Sequence, residues 1–240
     1  MQCRPCHVLL FSSFGQLGWG GQESLFQLVS RLERDHFRPS VVVPSVGSLA
    51  HSLSARGIDV HLLNLPKVAS GQLVQVTAAL RRLSALVDEE GVDLLHTDGP
   101  RNTFYAGVVG RLKRRPVVWH VRSSTADRYD RLLSLLCTKI ILVANCLTRR
   151  FQFPGQRQKL ITIHNGVDVN HFVPGSARLV SIAGFRFQSD DIVITVSARV
   201  EEQKGQRYLI EACAQLRHLF PRLHIQCAGR IVEQAYHQAC

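Results

Sequence analysis

The sequence lacks the long apolar runs and the cysteine pattern that mark membrane-spanning and disulfide-stabilised proteins. Its longest uninterrupted apolar stretch is Ile140–Ala144, whereas a transmembrane helix needs about 20 such residues. The 7 cysteines are odd in number and irregularly spaced along 240 residues, which argues against a disulfide framework and favours a reducing compartment. The apolar run Val8–Phe11 is too short for the core of a secretory signal. These features predict a cytoplasmic protein.

Several catalytic signatures are missing as well. The chain contains no G-x-x-x-x-G-K-[ST] loop, no D-x-D pair, no G-x-S-x-G elbow and no H-E-x-x-H helix. The first absence excludes a P-loop ATPase, and the others disfavour hydrolases and metal-dependent phosphoryl transfer. We therefore expect neither a metal ion nor a cofactor.

Acidic residues are few relative to basic ones. The chain has 18 Asp and Glu against 29 Lys and Arg, a formal net charge of +11 at pH 7. Such a charge attracts nucleic acid, anionic lipid headgroups and phosphorylated substrates alike, but no nucleic-acid-binding motif is recognisable. Arg111, Lys113, Arg114 and Arg115 end one predicted helix together, so we expect a peripheral contact with the inner face of an anionic membrane. A merely soluble cationic surface is the alternative.

Apolar runs that fit strands alternate with segments whose apolar residues recur at helical spacing. The strand-like runs of the first part are His7–Phe11, Val41–Val43, Ile58–Leu63, Val92–His96, Pro116–Val121, Thr138–Ala144 and Leu160–Ile163. This alternation predicts an α/β fold with a doubly wound parallel sheet. The pattern restarts with Asp191–Ala198 and Leu223–Ala228. We expect a Rossmann-like N-terminal domain over 1–172, followed by a linker and the start of a second Rossmann-like domain over 173–240.

A glycine-rich loop, Ser12–Gly21, follows the first predicted strand. Gly20 and Gly21 would let the backbone approach a ligand, and the start of the next helix favours an anion. The loop is not a dinucleotide fingerprint, because the required third glycine is replaced by Glu23. A glycine turn without a ligand is the alternative interpretation.

Polar side chains follow the predicted strands at the edge where an open parallel sheet binds ligands. His120 lies near the end of one strand, where its ring can donate to a sugar hydroxyl or a phosphate oxygen. Arg122 and Ser123 come next, and Asp98 follows the neighbouring strand, so these three residues can face the same crevice. Taken alone, a histidine at this position is more often structural than functional.

A further cationic pair follows the first strand of the second domain. Arg199 ends this strand and Lys204 begins the next helix, so the two side chains can converge on one diphosphate. A solvated charged loop is the alternative interpretation of this segment.

The order and spacing of these motifs resemble a GT-B glycosyltransferase of family 4, a retaining family. The resemblance covers nearly the whole chain and rests on the following segments: Gly20–Glu23, Val117–His120, Ile163–Asp168 with Phe172 and Pro174, Val196–Gly205 with Leu209–Ala212, and Cys227–Arg230.

The resemblance implies two Rossmann-like domains that face each other across a cleft, with the acceptor in the first and a nucleotide-sugar in the second. Asp98, Arg122 and Ser123 would then form the candidate acceptor cleft. It implies that Gly20 and Gly21 approach the donor diphosphate or the acceptor. His120 would be the catalytic residue that contacts the transferred sugar. Arg199 and Lys204 would bind the diphosphate and stabilise it as it leaves, without a metal.

The chain departs from the family pattern in one respect. The family carries two glutamates eight positions apart, one meeting the transferred sugar and the other the ribose. After Lys204 the chain has only Glu211 and Glu233, so we expect a truncation within the donor domain.

Two functions follow from this resemblance. The first is transfer of a sugar from a nucleotide-sugar to a saccharide or lipid-linked acceptor with retention, in cell-surface polysaccharide or glycolipid synthesis. The alternative is a truncated, catalytically incompetent domain that binds an acceptor or a membrane.

Overall fold

The computed structural model describes residues 4–68, 72–175, 181–182 and 185–240. The chain forms two compact units, Met1–Asp168 and Val169–Cys240, and each is described by itself. The domain boundary at residue 172 remains a prediction. Across the described ranges, no helix is both long enough and apolar enough to cross a membrane.

The first unit alternates strands and helices. Its strands are β1 (Cys6–Phe11), β2 (Phe37–Val43), β3 (Asp59–Leu62), β4 (Leu94–Thr97), β5 (Val117–Val121), β6 (Lys139–Leu142) and β7 (Leu160–Thr162). Its α-helices are α1 (Gly20–Arg31), α2 (Ser48–Ser54), α3 (Leu73–Glu89), α4 (Pro100–Lys113) and α5 (Asp130–Leu136). Short 3-10 helices at Asn145–Phe151 and Arg157–Lys159 precede the last strand.

The strands form one sheet in the order β3-β2-β1-β4-β5-β6-β7, and every neighbouring pair is parallel. The predicted α/β fold with a doubly wound parallel sheet is thus confirmed. The order reverses between β1 and β4, because β2 and β3 add on one side of β1 and the later strands on the other. This switch point positions the candidate site.

Apolar side chains on both faces of the sheet explain the two helix layers. Successive side chains of a strand point to opposite faces. In β1, Leu9 and Phe11 belong to one buried cluster with α3, α4 and α5, whereas Val8 and Leu10 belong to another with α1 and α2. A strand that is apolar on both faces is stable only when helices cover both.

The second unit is smaller. Its elements are β8 (Ser181–Ile182), β9 (Phe185–Arg186), β10 (Ile192–Ser197), a 3-10 helix at Glu202–Lys204, α6 (Gln206–Leu216), β11 (Leu223–Ala228) and α7 (Gln234–Ala239). The strands β10 and β11 are parallel, as the restarted pattern predicts. The short antiparallel pair of β8 and β9 precedes the first strand of the restarted pattern.

Candidate active site

The loops after β1 and β4 meet at the switch point of the sheet, which is where open parallel sheets bind ligands. Ser13 follows β1 and Asp98 follows β4. The backbone N–H and the hydroxyl of Ser13 both donate to the Asp98 carboxylate, each at 3.0 Å. Asn102, in the first turn of α4, donates to the same carboxylate at 2.8 Å. Asp98 is thus fixed at the carboxyl edge of the sheet.

The pKa of Asp98 lies above the ordinary aspartate value. Burial raises it, and the hydrogen bonds from Ser13 and Asn102 and the charge of Arg122 offset only part of that increase. A carboxylate with a raised pKa is a stronger proton acceptor than an exposed aspartate. Asp98 therefore combines a fixed position with increased basicity.

Two stacked histidines lie at the same edge. The rings of His96 in β4 and His120 in β5 have centroids 5.4 Å apart and planes inclined by 14°. His96 pairs with Val118, and His120 stands two residues further along β5, so both rings face the same side of the sheet. Burial, the neighbouring Arg122 and the His96 ring lower the pKa of His120 to about 3. His120 is therefore neutral at physiological pH.

Arg122 determines which ring nitrogen of His120 carries the proton. Arg122 Nη2 lies 3.2 Å from His120 Nδ1, and a guanidinium can only donate. Nδ1 must then accept, so the neutral ring carries its proton on Nε2. In the part of the chain that the structure describes, this buried Nε2 has no hydrogen-bond partner. His120 thus presents an unused N–H donor.

Arg122 is itself held by two residues from distant parts of the first unit. Its Nη1 donates to Ser24 Oγ in α1 at 2.6 Å and to Asn165 Oδ1 after β7 at 3.0 Å. Ser24 Oγ also donates to Asn165 Oδ1 at 3.2 Å. Burial lowers the pKa of Arg122, and the nearby Asp98 opposes that shift. The guanidinium therefore has little freedom to leave His120.

The three residues of the predicted acceptor cleft line one cavity of about 280 Å³. Asp98, Arg122 and Ser123 share it with Trp119 and Asp127, among others. Ser123 is held in place by Arg150, whose Nη1 donates to the Ser123 carbonyl at 2.9 Å. The structure thus brings Asp98, Arg122 and Ser123 together, although their role remains a prediction.

Buried charges support this wall of the cavity. Arg150 pairs with Asp130 through two hydrogen bonds of 2.6 Å each, and both side chains are buried. The Arg150 guanidinium also lies over the Trp119 and Phe151 rings. The bidentate pairing fixes the Arg150 guanidinium, which in turn holds the Ser123 carbonyl by a hydrogen bond.

Gly20 and Gly21 form the start of α1, close to Arg122. A Cβ added at Gly21 would lie 3.8 Å from Arg122 Cδ, and one added at Gly20 would meet no atom within 4 Å. The residue before them, Trp19, supplies no side-chain cap, and the first N–H groups of a helix have no intrahelical acceptor. Gly21 thus lies beside Arg122, and the anion-binding role of Gly20 and Gly21 remains a prediction.

The second unit places Arg199 and Lys204 around one carboxylate. Arg199 Nη2 lies 2.8 Å from Glu201 Oε1, and Lys204 Nζ lies 4.0 Å from the same oxygen. Gln206 donates to the Arg199 carbonyl at 2.8 Å, and Gly205 takes a left-handed conformation with φ of 68°. The side chains of Arg199 and Lys204, which are predicted to bind the diphosphate, therefore converge. The Glu201 carboxylate orients both of them.

Sequence reasoning missed four residues that build these groups: His96, Ser24, Asn165 and Glu201. The strand register that pairs β4 with β5 could have identified His96. Glu201 lies between Arg199 and Lys204, so charge spacing could have identified it. Ser24 and Asn165 gave no local signal, because they reach Arg122 from 98 and 43 positions away.

Two residues lie differently from what the sequence suggests. Asn145 follows a predicted strand, where asparagine is typical of a helix N-cap, but it is the first residue of a 3-10 helix whose cap position is Ala144, without a capping side chain. Cys3 and Cys6 lie close to the start of the sequence, where a frayed segment is expected. Cys6 instead begins β1 and pairs with Phe37, whereas Cys3 lies outside the described residues.

Solved structures of several enzymes have a similar fold. A glycosyltransferase from Rickettsia africae matches with a TM-score of 0.78 and 14% identity over 99% of this chain. HepE from Anabaena, in complex with UDP and glucose, matches with a TM-score of 0.73 and 20% identity over 97% of this chain. MurG from Acinetobacter baumannii matches with a TM-score of 0.57 and 16% identity over 96% of this chain. At such identities the likeness shows the fold, which is that of the GT-B glycosyltransferases.

The sequence itself identifies the family. The profile of Glycosyltransferase Family 4 matches residues 19–171, more than half of the chain, so the protein belongs to glycosyltransferase family 4. No curated protein matches the chain significantly. The chain spans 64% of the HepE and Rickettsia chains and 68% of the MurG chain.

Proposed function

We propose that the protein transfers a sugar from a nucleotide-sugar donor to a saccharide or lipid-linked acceptor, with retention of the anomeric configuration. The observation that carries this proposal is the unpaired Nε2–H of His120, whose Nδ1 accepts from Arg122, in a chain of glycosyltransferase family 4. A neutral donor at this place suits a sugar hydroxyl, which accepts a hydrogen bond without a change of charge.

The donor is proposed to carry a nucleoside diphosphate. HepE, which has the same fold, has been crystallised with UDP and glucose and with UDP-glucose. In the transfer, the bond from the anomeric carbon to the diphosphate breaks and the diphosphate keeps the electron pair. Arg199 and Lys204 stabilise the negative charge that develops there, and no metal is required for that stabilisation.

The acceptor is proposed to occupy the cavity of Asp98, Arg122 and Ser123. Its hydroxyl oxygen forms the new bond to the anomeric carbon and releases a proton. The Asp98 carboxylate lines this cavity and its raised pKa suits a proton acceptor. The cellular role that fits such a reaction is cell-surface polysaccharide or glycolipid synthesis, carried out in the cytoplasm.

Substitutions at His120 test the proposal. Gln carries an N–H donor close to the position of Nε2, whereas Leu removes it. We expect His120→Leu to lower kcat/KM for a UDP-sugar by about a hundredfold, as for other donors that act in the transition state, and His120→Gln to keep a measurable part of the activity. The product configuration, read by NMR, must match that of the donor.

Two results would count against this function. Equal turnover by the Leu variant and the wild type would remove His120 from the site. Acceptor binding without turnover of any nucleotide-sugar would favour the alternative, a catalytically incompetent acceptor-binding domain.

A further inference from the structure

A second cavity, of about 460 Å³, lies at the opposite edge of the seven-stranded sheet from His120. Pro116, Thr138 and Lys159 line it, and each directly precedes one of the strands β5, β6 and β7. The strands are parallel, so this is the amino-terminal edge, where the candidate active site has no residue. The carboxyl-terminal ends of α4 and α5 close the cavity.

The lining of this cavity is strongly cationic. It includes Arg111, Arg114, Arg115 and Lys159, and none of the described residues that line it is acidic. Arg111 donates to the Leu135 carbonyl at 2.7 Å, which satisfies the negative end of α5. Lys159 likewise donates to two carbonyls at that end, each at 2.9 Å.

Arg114 and Arg115 supply the remaining positive charge. The end of α4 is fixed by a Schellman-type turn, in which Arg114 has φ of 54° and the Arg115 N–H donates to the Gly110 carbonyl at 2.8 Å. Arg115 also forms an ion pair with Asp93 at 3.7 Å. The turn therefore fixes the backbone from which these two cations extend at the rim of the cavity.

Exposed leucines accompany these cations. Leu135 lines the cavity and is 48% exposed, Leu132 lies one turn earlier on α5 at 53%, and Leu112 follows Arg111 at 72%. A soluble polyanion would use the cations and leave the leucines in water. An anionic bilayer uses both, because headgroup phosphates meet the cations and apolar side chains enter the interface.

We propose that this surface, defined by Leu112, Arg114, Arg115, Leu132 and Leu135 around the cavity, binds the anionic lipid headgroups of a membrane. This proposal places the expected membrane contact on one surface of the first unit and extends that surface to α5. It does not depend on the transfer reaction. A headgroup phosphate enters the cavity between Arg114 and Arg115, and the leucines lie at the level of the headgroups.

Co-sedimentation of the 240-residue chain with vesicles tests the proposal. Vesicles of phosphatidylcholine with phosphatidylglycerol should bind the chain, and pure phosphatidylcholine should not. Arg114→Glu with Arg115→Glu should reduce binding by about tenfold or more. The matched control, Arg81→Glu with Arg82→Glu, makes the same charge change at exposed positions of α3 and should leave binding within about twofold of the wild type.

A milder variant guards against misfolding at the end of α4. Arg114→Gly removes one charge and suits the left-handed backbone there, so it should fold normally and still weaken vesicle binding about fivefold. Leu132→Asn with Leu135→Asn keeps every charge and should also weaken vesicle binding.

Two results would overturn the proposal: equal vesicle binding by the α3 and α4 variants, or an unchanged affinity of the leucine variant for vesicles. Tighter binding to a DNA duplex than to the vesicles would overturn it in favour of a nucleic-acid surface.

Discussion

At the scale of single residues, the decisive contact is the one between Arg122 and His120. Without Arg122, the His120 ring could carry its proton on either nitrogen, and neither tautomer would be selected. With it, the proton stays on Nε2, because the guanidinium occupies Nδ1. The low pKa of His120 excludes a role as a proton shuttle at neutral pH. Its chemical contribution is therefore a directed, uncharged hydrogen bond.

Arg199 and Lys204 carry the residue-scale prediction for the donor. Arg199→Ala or Lys204→Ala should weaken nucleotide-sugar use by at least about tenfold, because losing a charged donor to a diphosphate costs about 1.5–3 kcal/mol. The measurement is kcat/KM, supported by calorimetric titration with UDP.

Arg207→Ala is the matched control for these two variants. Arg207 lies in the same unit but pairs with Glu211 on the exposed side of α6, so this variant should bind UDP as the wild type does. Normal turnover by both Arg199→Ala and Lys204→Ala would remove the anion site from the proposed mechanism.

At the scale of elements, the close packing of α4 on α5 depends on Gly107. A Cβ at this position would lie 2.6 Å from Leu136 Cβ. Gly107→Ala gains about 1 kcal/mol of helix propensity but forces the helices apart, so we expect a net loss of about 1 kcal/mol or more in the free energy of unfolding. Urea denaturation monitored by circular dichroism measures this change in the free energy of unfolding.

Two further variants serve as controls for Gly107→Ala. Leu136→Ala should not rescue Gly107→Ala, because the offending Cβ of residue 136 remains. Gly166→Ala adds a Cβ that meets no atom within 4 Å, so stability should change by no more than about 0.5 kcal/mol. A stabilised Gly107→Ala protein would mean that α4 and α5 lie further apart than described.

The elements also show what the sequence could predict. Strands such as β1 and β6 contain continuous apolar runs, and α1 and α3 show a clear apolar stripe, so burial makes these elements predictable from the sequence. The short strand β3 alternates polar and apolar residues, and α4 has no such stripe. The strands β8 and β9 have two residues each, too few for any periodicity. The 3-10 helix Asn145–Phe151 likewise lacks the spacing that marks an α-helix.

The candidate site was predictable only where topology determines it. The rule that ligands bind beyond the carboxyl ends of parallel strands pointed to Asp98, His120 and Arg122 without any knowledge of contacts. The clamp of Ser24 and Asn165 on Arg122 joins segments 141 positions apart. No local pattern encodes such a contact, because it arises only when β7 docks beside β6 and α1 packs on the sheet.

At the scale of the whole molecule, the two stacked histidines predict a loss of stability in acid. Histidine in an unfolded chain titrates near pH 6.5, whereas burial and Arg122 lower the pKa of His96 to about 4, and that of His120 is about 3. Between these values the unfolded chain binds more protons. The free energy of unfolding should therefore fall as the pH falls from about 6.5 toward 4, by up to about 1.4 kcal/mol per pH unit for each histidine.

Asp98 works against this trend, because its raised pKa lets the folded state bind a proton first. Urea unfolding at a series of pH values measures the sum. His96→Gln should reduce the slope by about one proton. A slope that is flat between pH 6.5 and 4 would contradict the neutral, buried state of both rings.

The central position of β1 has a consequence for biosynthesis. On the ribosome, β1 emerges first and pairs with β2 soon afterwards, but its other neighbour, β4, begins only at Leu94. Until then the nascent sheet displays one open apolar edge of β1, of the kind that other chains and chaperones recognise. Once β4 has closed it, β5, β6 and β7 are added in the order of translation, each beside the strand made just before. The period before β4 emerges is therefore when the growing chain is most exposed to misassembly, and a translational pause there would prolong that risk.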